Sequence, residues 1–283
     1  MKRLLFFGLN TVDLQFLVPA FPAKNTKTKA ERNGVYAGGP ATNAAIACAH
    51  LGGRVTLVTP IGQHVLSGFI AEDIRRHNVD IWDPLEALPG DPTFASIITD
   101  EENGDRTVFS YHPELKLSET VSVTPPLAGY GFALFDGFYP RAAVQLAQQC
   151  RERDIVTVLD AGSWKPGTDR LLGLMDVVIC SNDFHVSKGD DAKTIFKELH
   201  SRGVSMAAVT RGDRSILFSD NGRAGEVFVE NVSVVDTLGA GDIYHGAFLY
   251  YFANGESFKN ALSLASRVAA RSCRHFGTRD WMK

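Results

Sequence analysis

The sequence predicts an α/β fold: a mostly parallel central sheet with helices on both faces, three layers in all, and a small second β-sheet over one end. Three observations carry this reading. Short apolar runs alternate with longer helical segments through most of the 283 residues. Two pairs of β-type segments, near residues 16–36 and 94–111, break that alternation. A glycine-rich run, Asp236-Thr237-Leu238-Gly239-Ala240-Gly241-Asp242, stands between an apolar stretch and a helical one. The length suits one large domain or two small ones. With no Pro/Gly-rich linker, repeat or low-complexity segment, one domain over 1–283 is expected, with lid segments at about 14–36 and 92–112.

Arg3 to Leu9 is a short apolar run and reads as a central strand. Phe16–Val18 and Glu31–Tyr36 form a strand pair joined by a lysine-rich segment. Pro40–Leu51 is alanine-rich and helical, with Gly52-Gly53 to end it. Val55–Thr59 is a strand and Val65–His77 a helix. Phe94–Thr99 and Arg106–Tyr111 flank Glu101-Glu102-Asn103-Gly104, a hairpin signal with Asn-Gly in the turn. Further strands are expected at Phe132–Phe135, Ile155–Leu159, Val177–Cys180 and Met206–Thr210, with a β-like stretch from Val227 to Val235. Further helices are expected at Ala142–Arg153, Lys193–Arg202, Ala240–Ala253 and Phe258–Arg274.

Composition narrows the function. The hydrophobic fraction of 45% is that of an ordinary globular protein. The net charge is −3 with no basic block, which argues against nucleic acid as a partner. The four cysteines lie far apart without metal spacing and read as reduced thiols of a cytoplasmic protein. Met1-Lys2-Arg3 before Leu4-Leu5-Phe6-Phe7 looks like a signal peptide, but Asn10, Asp13 and Gln15 interrupt the apolar run too early. No stretch approaches the ~20 apolar residues that span a membrane.

The glycine-rich run carries the chemistry. Backbone N–H groups at a helix start lack intrahelical partners, and the helix dipole adds positive potential, so Gly239, Ala240 and Gly241 form an anion site. Asp242 stands in the same turn. A carboxylate there is wasteful unless it takes a proton, so Asp242 reads as the general base of a phosphoryl transfer. The plainer reading is an ordinary helix start with a favourable first-turn Asp. Gly38-Gly39-Pro40-Ala41-Thr42-Asn43 opens the first long helix; the glycines admit a ligand close to the backbone, and Asn43 offers an amide to a sugar hydroxyl. Here the plainer reading is a turn, Pro at the first helical position and a satisfied polar side chain. Asp13 and Asp136 follow apolar strands, at the carboxyl ends where α/β sheets bind ligands. Arg106 begins the second hairpin strand, either exposed or reaching down to substrate.

Other patterns are rejected. Gly162-Ser163-Trp164-Lys165-Pro166-Gly167-Thr168 has P-loop spacing but lacks the lysine, and Pro166 removes an N–H. Asp160, just before it, ends a predicted strand and remains a candidate to face the cleft. The histidines show no H-E-x-x-H pattern. Gly8-Leu9-Asn10-Thr11-Val12-Asp13 is no G-x-G-x-x-G, which removes a dinucleotide-dependent oxidoreductase.

The D-T-x-G-A-G-D run and the G-G-x-x-x-N run together resemble the two signatures of the ribokinase-like carbohydrate kinases, the PfkB family, and the likeness covers nearly the whole chain. It implies a three-layer αβα ribokinase-like fold with a β-sheet lid, an ATP-dependent sugar kinase, Mg2+, a monovalent cation and a homodimer formed through the lid. Gly8–Asp13, Arg75–Asp80, Gly104–Thr107 and Val235–Gly239 are similar to the ketohexokinase branch. By that likeness Asp13, Gly39, Asn43, Arg106 and Asp136 are sugar contacts beside Gly38, and Asn25 stands where that branch has an aspartate. The first forty residues also resemble the bacterial sulfofructose kinases, which place Lys27 against an anionic group; Lys24, Lys27 and Lys29 otherwise read as a solvated loop. Thr210 and Gly212 resemble the family's T-x-G nucleotide turn, and Cys273 a position lining the adenine pocket. The N-x-x-E motif of the magnesium shell is not intact: Ser181-Asn182-Asp183-Phe184-His185 occupies its place, with either Asn182 in register and His185 replacing the acid, or Asp183 standing in. The metal residues therefore stay unassigned. A nucleoside or aminosugar kinase of the same fold, and a non-catalytic sugar- or nucleotide-binding protein, are the alternatives.

Overall fold

The computed structural model describes residues 2–102, 104–113, 122–185 and 191–283. The first part of the chain forms β1 (Arg3–Phe7), β2 (Thr11–Val18), β3 (Arg32–Gly38), α1 (Pro40–His50), β4 (Val55–Val58), α2 (Ser67–Arg75) and β5 (Val79–Trp82). Then come β6 (Phe94–Asp100), β7 (Arg106–Tyr111), β8 (Tyr130–Phe135), α3 (Pro140–Arg151), β9 (Val156–Ala161), α4 (Thr168–Leu172) and β10 (Val177–Cys180). The last part forms α5 (Ala192–Ser201), β11 (Met206–Arg211), β12 (Arg214–Asp220), β13 (Arg223–Val227), α6 (Ala240–Ala253) and α7 (Phe258–Ser272), with a 3-10 turn at Asp280–Met282.

Nine strands form the large sheet, in the order β13-β12-β11-β10-β9-β8-β1-β4-β5. It is parallel from β5 to β11 and antiparallel at β12 and β13. β1 shows why there are three layers. Leu4 and Phe6 point into one core with α1, α6 and α7, while Leu5 and Phe7 point into the other with α3, α4 and α5. A strand buried on both faces reads as an unbroken apolar run, and Arg3 to Leu9 does. The alanines of α1 let α6 pack against it at backbone distance: a side chain at Gly246 would overlap the Ala44 carbonyl.

The four remaining strands form a separate sheet, β3-β2-β6-β7. The expected hairpin is present, with Gly104 N–H bonded to the Asp100 carbonyl at 2.8 Å; Asn103 of its predicted turn lies outside the described residues. β2 begins at Thr11, five residues earlier than expected. This moves Asp13 from the expected loop into a strand of the small sheet, where it is only 5% exposed.

One expected strand is absent. Of Val227–Val235, only Val227 belongs to a strand. Phe228, Val234 and Val235 are substantially exposed. This segment finds no sheet partner, and its end is held differently: Val235 and Asp236 donate their N–H groups to the Cys273 carbonyl at 2.8 and 3.2 Å.

Candidate active site

The glycine-rich run closes on itself before α6 starts. Gly239, at φ +68°, makes the left-handed turn, and a Cβ there would lie 2.7 Å from Thr278 Cγ2. Asp236 fastens the loop: its carboxylate accepts the Leu238 and Gly277 N–H groups, both at 2.9 Å. The Ala240 N–H is already committed to the Thr237 carbonyl at 3.2 Å. Among the described residues the N–H groups of Gly239, Gly241 and Asp242 have no protein acceptor, and the space where Gly241 would carry a side chain is open. The donors free for an anion are therefore those three, with Ala240 contributing small size rather than its amide.

Asp242 faces the start of α1. Its Oδ2 accepts from Asn43 Nδ2 at 2.9 Å. Burial pushes its carboxyl up to about 7; the nearby charge of Asp160 adds to this, and the Asn43 bond and His245 oppose it. A carboxyl poised near neutrality suits a general base. Asp160 ends β9, and its Oδ2 lies 3.4 Å from His245 Nδ1. That ring nitrogen is also 2.7 Å from the Gly241 carbonyl.

Asp13 approaches from the small sheet. Burial raises its carboxyl to about 6, against a hydrogen bond from the Thr11 hydroxyl and the charge of Arg279. Gly38 gives it room, since a Cβ at 38 would overlap the carboxylate. Gly39, at φ +96°, precedes α1 with its Cα-side space closed by the Leu9 carbonyl.

Asp136 is placed differently from a free sugar ligand. Its Oδ2 accepts from Leu9 N–H at 2.8 Å and Ala41 N–H at 3.2 Å, and its Oδ1 from Phe138 N–H at 2.9 Å. Burial holds its carboxyl up at about 6, against these bonds. It ties the exit of β1, the start of α1 and its own loop together. Arg106 donates from β7 to the Thr237 hydroxyl, so it reaches the glycine loop. Asn25 and Lys27 are exposed between β2 and β3, and among the described residues neither side chain has a polar partner; the structure does not bring them to the others.

At the end of β11, the Thr210 hydroxyl donates to the Cys180 carbonyl at 3.2 Å. Gly212 turns β11 into β12 at φ +66°. Cys273 ends α7, with its carbonyl on Val235 and Asp236. Asn182 Oδ1 accepts from Arg214 at 3.2 Å, and Asp183 is exposed. Among the described residues no three His, Cys, Asp or Glu side chains converge as a metal site.

Sequence reasoning missed two residues. His245 carried a usable signal, since it lies three positions after Asp242 on the same helix. Arg279 carried none: one arginine near a chain end reads as a solvated charge, yet it is 6% exposed and donates to Asn43 Oδ1 at 2.9 Å.

The raised carboxyls have a consequence for stability. An acid whose folded value lies above its ordinary 3.8 binds its proton more tightly when folded, so stability falls as pH rises from about 4 to about 7 and is flat above. Burial lowers His50, His64 and His77, which act in the opposite sense. The difference between wild type and Asp242→Asn isolates the one carboxyl. The expected result is that ligand-free Asp242→Asn gains in unfolding midpoint relative to wild type between pH 5 and about pH 7.5. A difference independent of pH would contradict it.

The chain is similar to ketohexokinase of Mus musculus, 23% identical over 289 residues, covering 96% of each. It is similar to a fructosamine kinase of Bacillus subtilis, 26% identical over 86% of this chain and 85% of the relative. The structure of ribokinase from Giardia lamblia superposes with a TM-score of 0.80 at 17% identity, over all of this chain and 96% of that one. The fold is thus ribokinase-like. The model of the pfkB family carbohydrate kinases matches residues 1–283, and with the glycine loop, its aspartate and the paired sheets in place, the chain belongs to that family.

Proposed function

We propose that this carbohydrate kinase transfers the γ-phosphoryl group of ATP to a hydroxymethyl hydroxyl of a ketohexose or close derivative. The observation that carries the reading is the position of Asp242: a carboxyl near neutrality beside three free N–H groups, bonded to Asn43 and facing Asp13. Asp242 removes the hydroxyl proton as the oxygen attacks in line, and the free amides of Gly239, Gly241 and Asp242 stabilise charge on the transferring group. The sugar lies between Asp13, Gly38-Gly39 and Asn43, which keeps one amide hydrogen free. Asp136 serves that pocket by holding its walls.

The small sheet acts as a lid that excludes water, the segments at about 14–36 and 92–112 belonging to a single domain. Arg106 joins the lid to the glycine loop. Thr210, Gly212 and Cys273 border the nucleotide. Kinases of this family use ATP, generally with Mg2+. An ion of this kind is held mainly through the nucleotide's phosphates and water. Those phosphates are neutralised by the ion when it is bound. A monovalent cation and a cytoplasmic location complete the reading; among the described residues no helix is long and apolar enough to cross a membrane.

The outer lid face carries Val35, Phe109 and Tyr111 at 46%, 60% and 67% exposure, apolar area that a second subunit's lid would cover. Sedimentation as a strict monomer would remove that dimer. An aminosugar acceptor is the second reading, favoured by the fructosamine kinase relative.

Asn25 is neutral and Lys27 stands two residues on, so an anionic ketose is the favoured acceptor if closure carries the lysine over the sugar. The expected result is a higher kcat/KM for sulfofructose than for fructose, with Lys27→Met lowering that preference by about tenfold. If fructose is preferred and the substitution leaves the ratio unchanged, Lys27 is a solvated residue.

A further inference from the structure

Arg279 is a buried cation with no place in the chemistry so far. It follows α7 on a segment anchored by Trp281, which packs against Ala47 of α1 and Ile243 of α6. Its guanidinium spans three elements. Nη1 donates to Asn43 Oδ1 and to Thr278 Oγ1, each at 2.9 Å, and Nη2 donates to the Ala37 carbonyl of β3 at 2.6 Å. The Ala37 N–H is held in turn by Asp73 at 2.9 Å. Outside this, Arg32 of β3 grips the same segment through Asp280 and lies 4.9 Å over the Phe276 ring.

The consequence lies in the symmetry of an asparagine amide. Its two ends are nearly equal in shape and are distinguished by their partners. Here one end faces a carboxylate, Asp242, which accepts only. The other faces a guanidinium, which donates only. Flipping Asn43 would put oxygen against the carboxylate and NH2 against the guanidinium, losing both bonds at once. We propose that Arg279 is a positioning residue: it holds Asn43 in the one orientation that presents the NH2 group to Asp242, and so sets the readiness of that carboxylate to take a proton. The arrangement needs arginine, since its planar fork reaches Asn43, Thr278 and Ala37 together where an ammonium does not. It also links the root of β3 to the base through a single side chain.

The inference rests on Asp242 being the base. The groups facing Asp242 are Asn43 on α1, Asp160 at the end of β9, His245 on α6 and Asp13 on β2. Those facing Arg279 are Asp73, Asp13, Tyr36 and Asp242, and His77 also senses it. Removing Arg279 frees the amide to turn, and the carboxylate loses a bond to its charged form, which raises the pH at which it ionises.

The test needs no sugar. The unfolding midpoint of Asp242 protein minus that of its Asp242→Asn counterpart is followed against pH, in the wild-type background and with Arg279→Met. The end of the pH-dependent change marks ionisation of Asp242 in the folded protein. With Arg279→Met it should move up by about one pH unit, the size of one lost bond to a charged carboxylate. Arg279→Lys should move it in the same direction by less, and serves alone if Arg279→Met does not fold. In an Asn43→Ala background the Arg279 substitution should add little. Arg32→Gln, which loosens the segment without touching Asn43, should leave the transition in place. An unmoved transition in the Arg279 variants, or an equal shift without Asn43, overturns the relay. Near-normal kcat in Asp242→Asn would instead remove the general-base reading, leaving the stability result to stand separately.

Discussion

Asp242→Asn is expected to lower kcat by ~10²–10⁴ while leaving the fold and ATP affinity intact, the range for losing a positioned general base. The amide has the shape of the carboxylate, and its oxygen still accepts from Asn43 Nδ2, so the start of α6 is undisturbed. The free N–H groups of Gly239 and Gly241 remain to hold the phosphoryl group, which leaves residual turnover. What disappears is the acceptor for the hydroxyl proton. Asp160 is in the same cleft but is turned toward His245 at 3.4 Å and does not replace it. Steady-state kinetics with a saturating acceptor measure the effect. Near-normal kcat would contradict the assignment.

Asp136→Ala is expected to cost about 3–5 kcal/mol of stability, because the buried N–H groups of Leu9 and Ala41 and the partly buried one of Phe138 lose their acceptor together. Relief of a buried charge offsets part of this, since the carboxyl is held up at about 6. Asp136→Asn keeps one oxygen and should cost less. Chemical denaturation reads the loss. The resemblance to the ketohexokinase branch implies a direct sugar contact here, and the two roles separate cleanly: a contact alone would raise KM and leave the denaturation midpoint where it is.

Much of this was legible in the sequence, and the reasons are local. β1 announced itself because burial on both faces makes an unbroken apolar run. α6 was found with its observed bounds, Ala240–Ala253, because Gly239 and Asp242 mark a helix start. Val227–Val235 misled because apolar composition does not specify a strand without a partner. The β12–β13 hairpin was missed although Asn221-Gly222 is its turn, with φ +49° and +80°, the pair that such a two-residue loop demands. Asp13 read as a carboxylate just past the first strand because the polar Asp13 and Gln15 hide the start of β2. Asn43 stood out in the sequence through the G-G-x-x-x-N run. Its tie to Asp242 and Arg279 did not, since those two lie 199 and 236 positions from it in the chain.

The central claim is that the chain is a kinase acting on the hydroxymethyl group of a ketose. It is tested most directly by coupled ADP release from ATP and Mg2+ over neutral and anionic ketoses, aldoses and nucleosides, with wild type and Asp242→Asn side by side. The account predicts ADP release that depends on a ketose, yields a phosphomonoester of its primary hydroxyl, and falls with Asp242→Asn. Release that depends on a nucleoside or an aldose and on no ketose would contradict it.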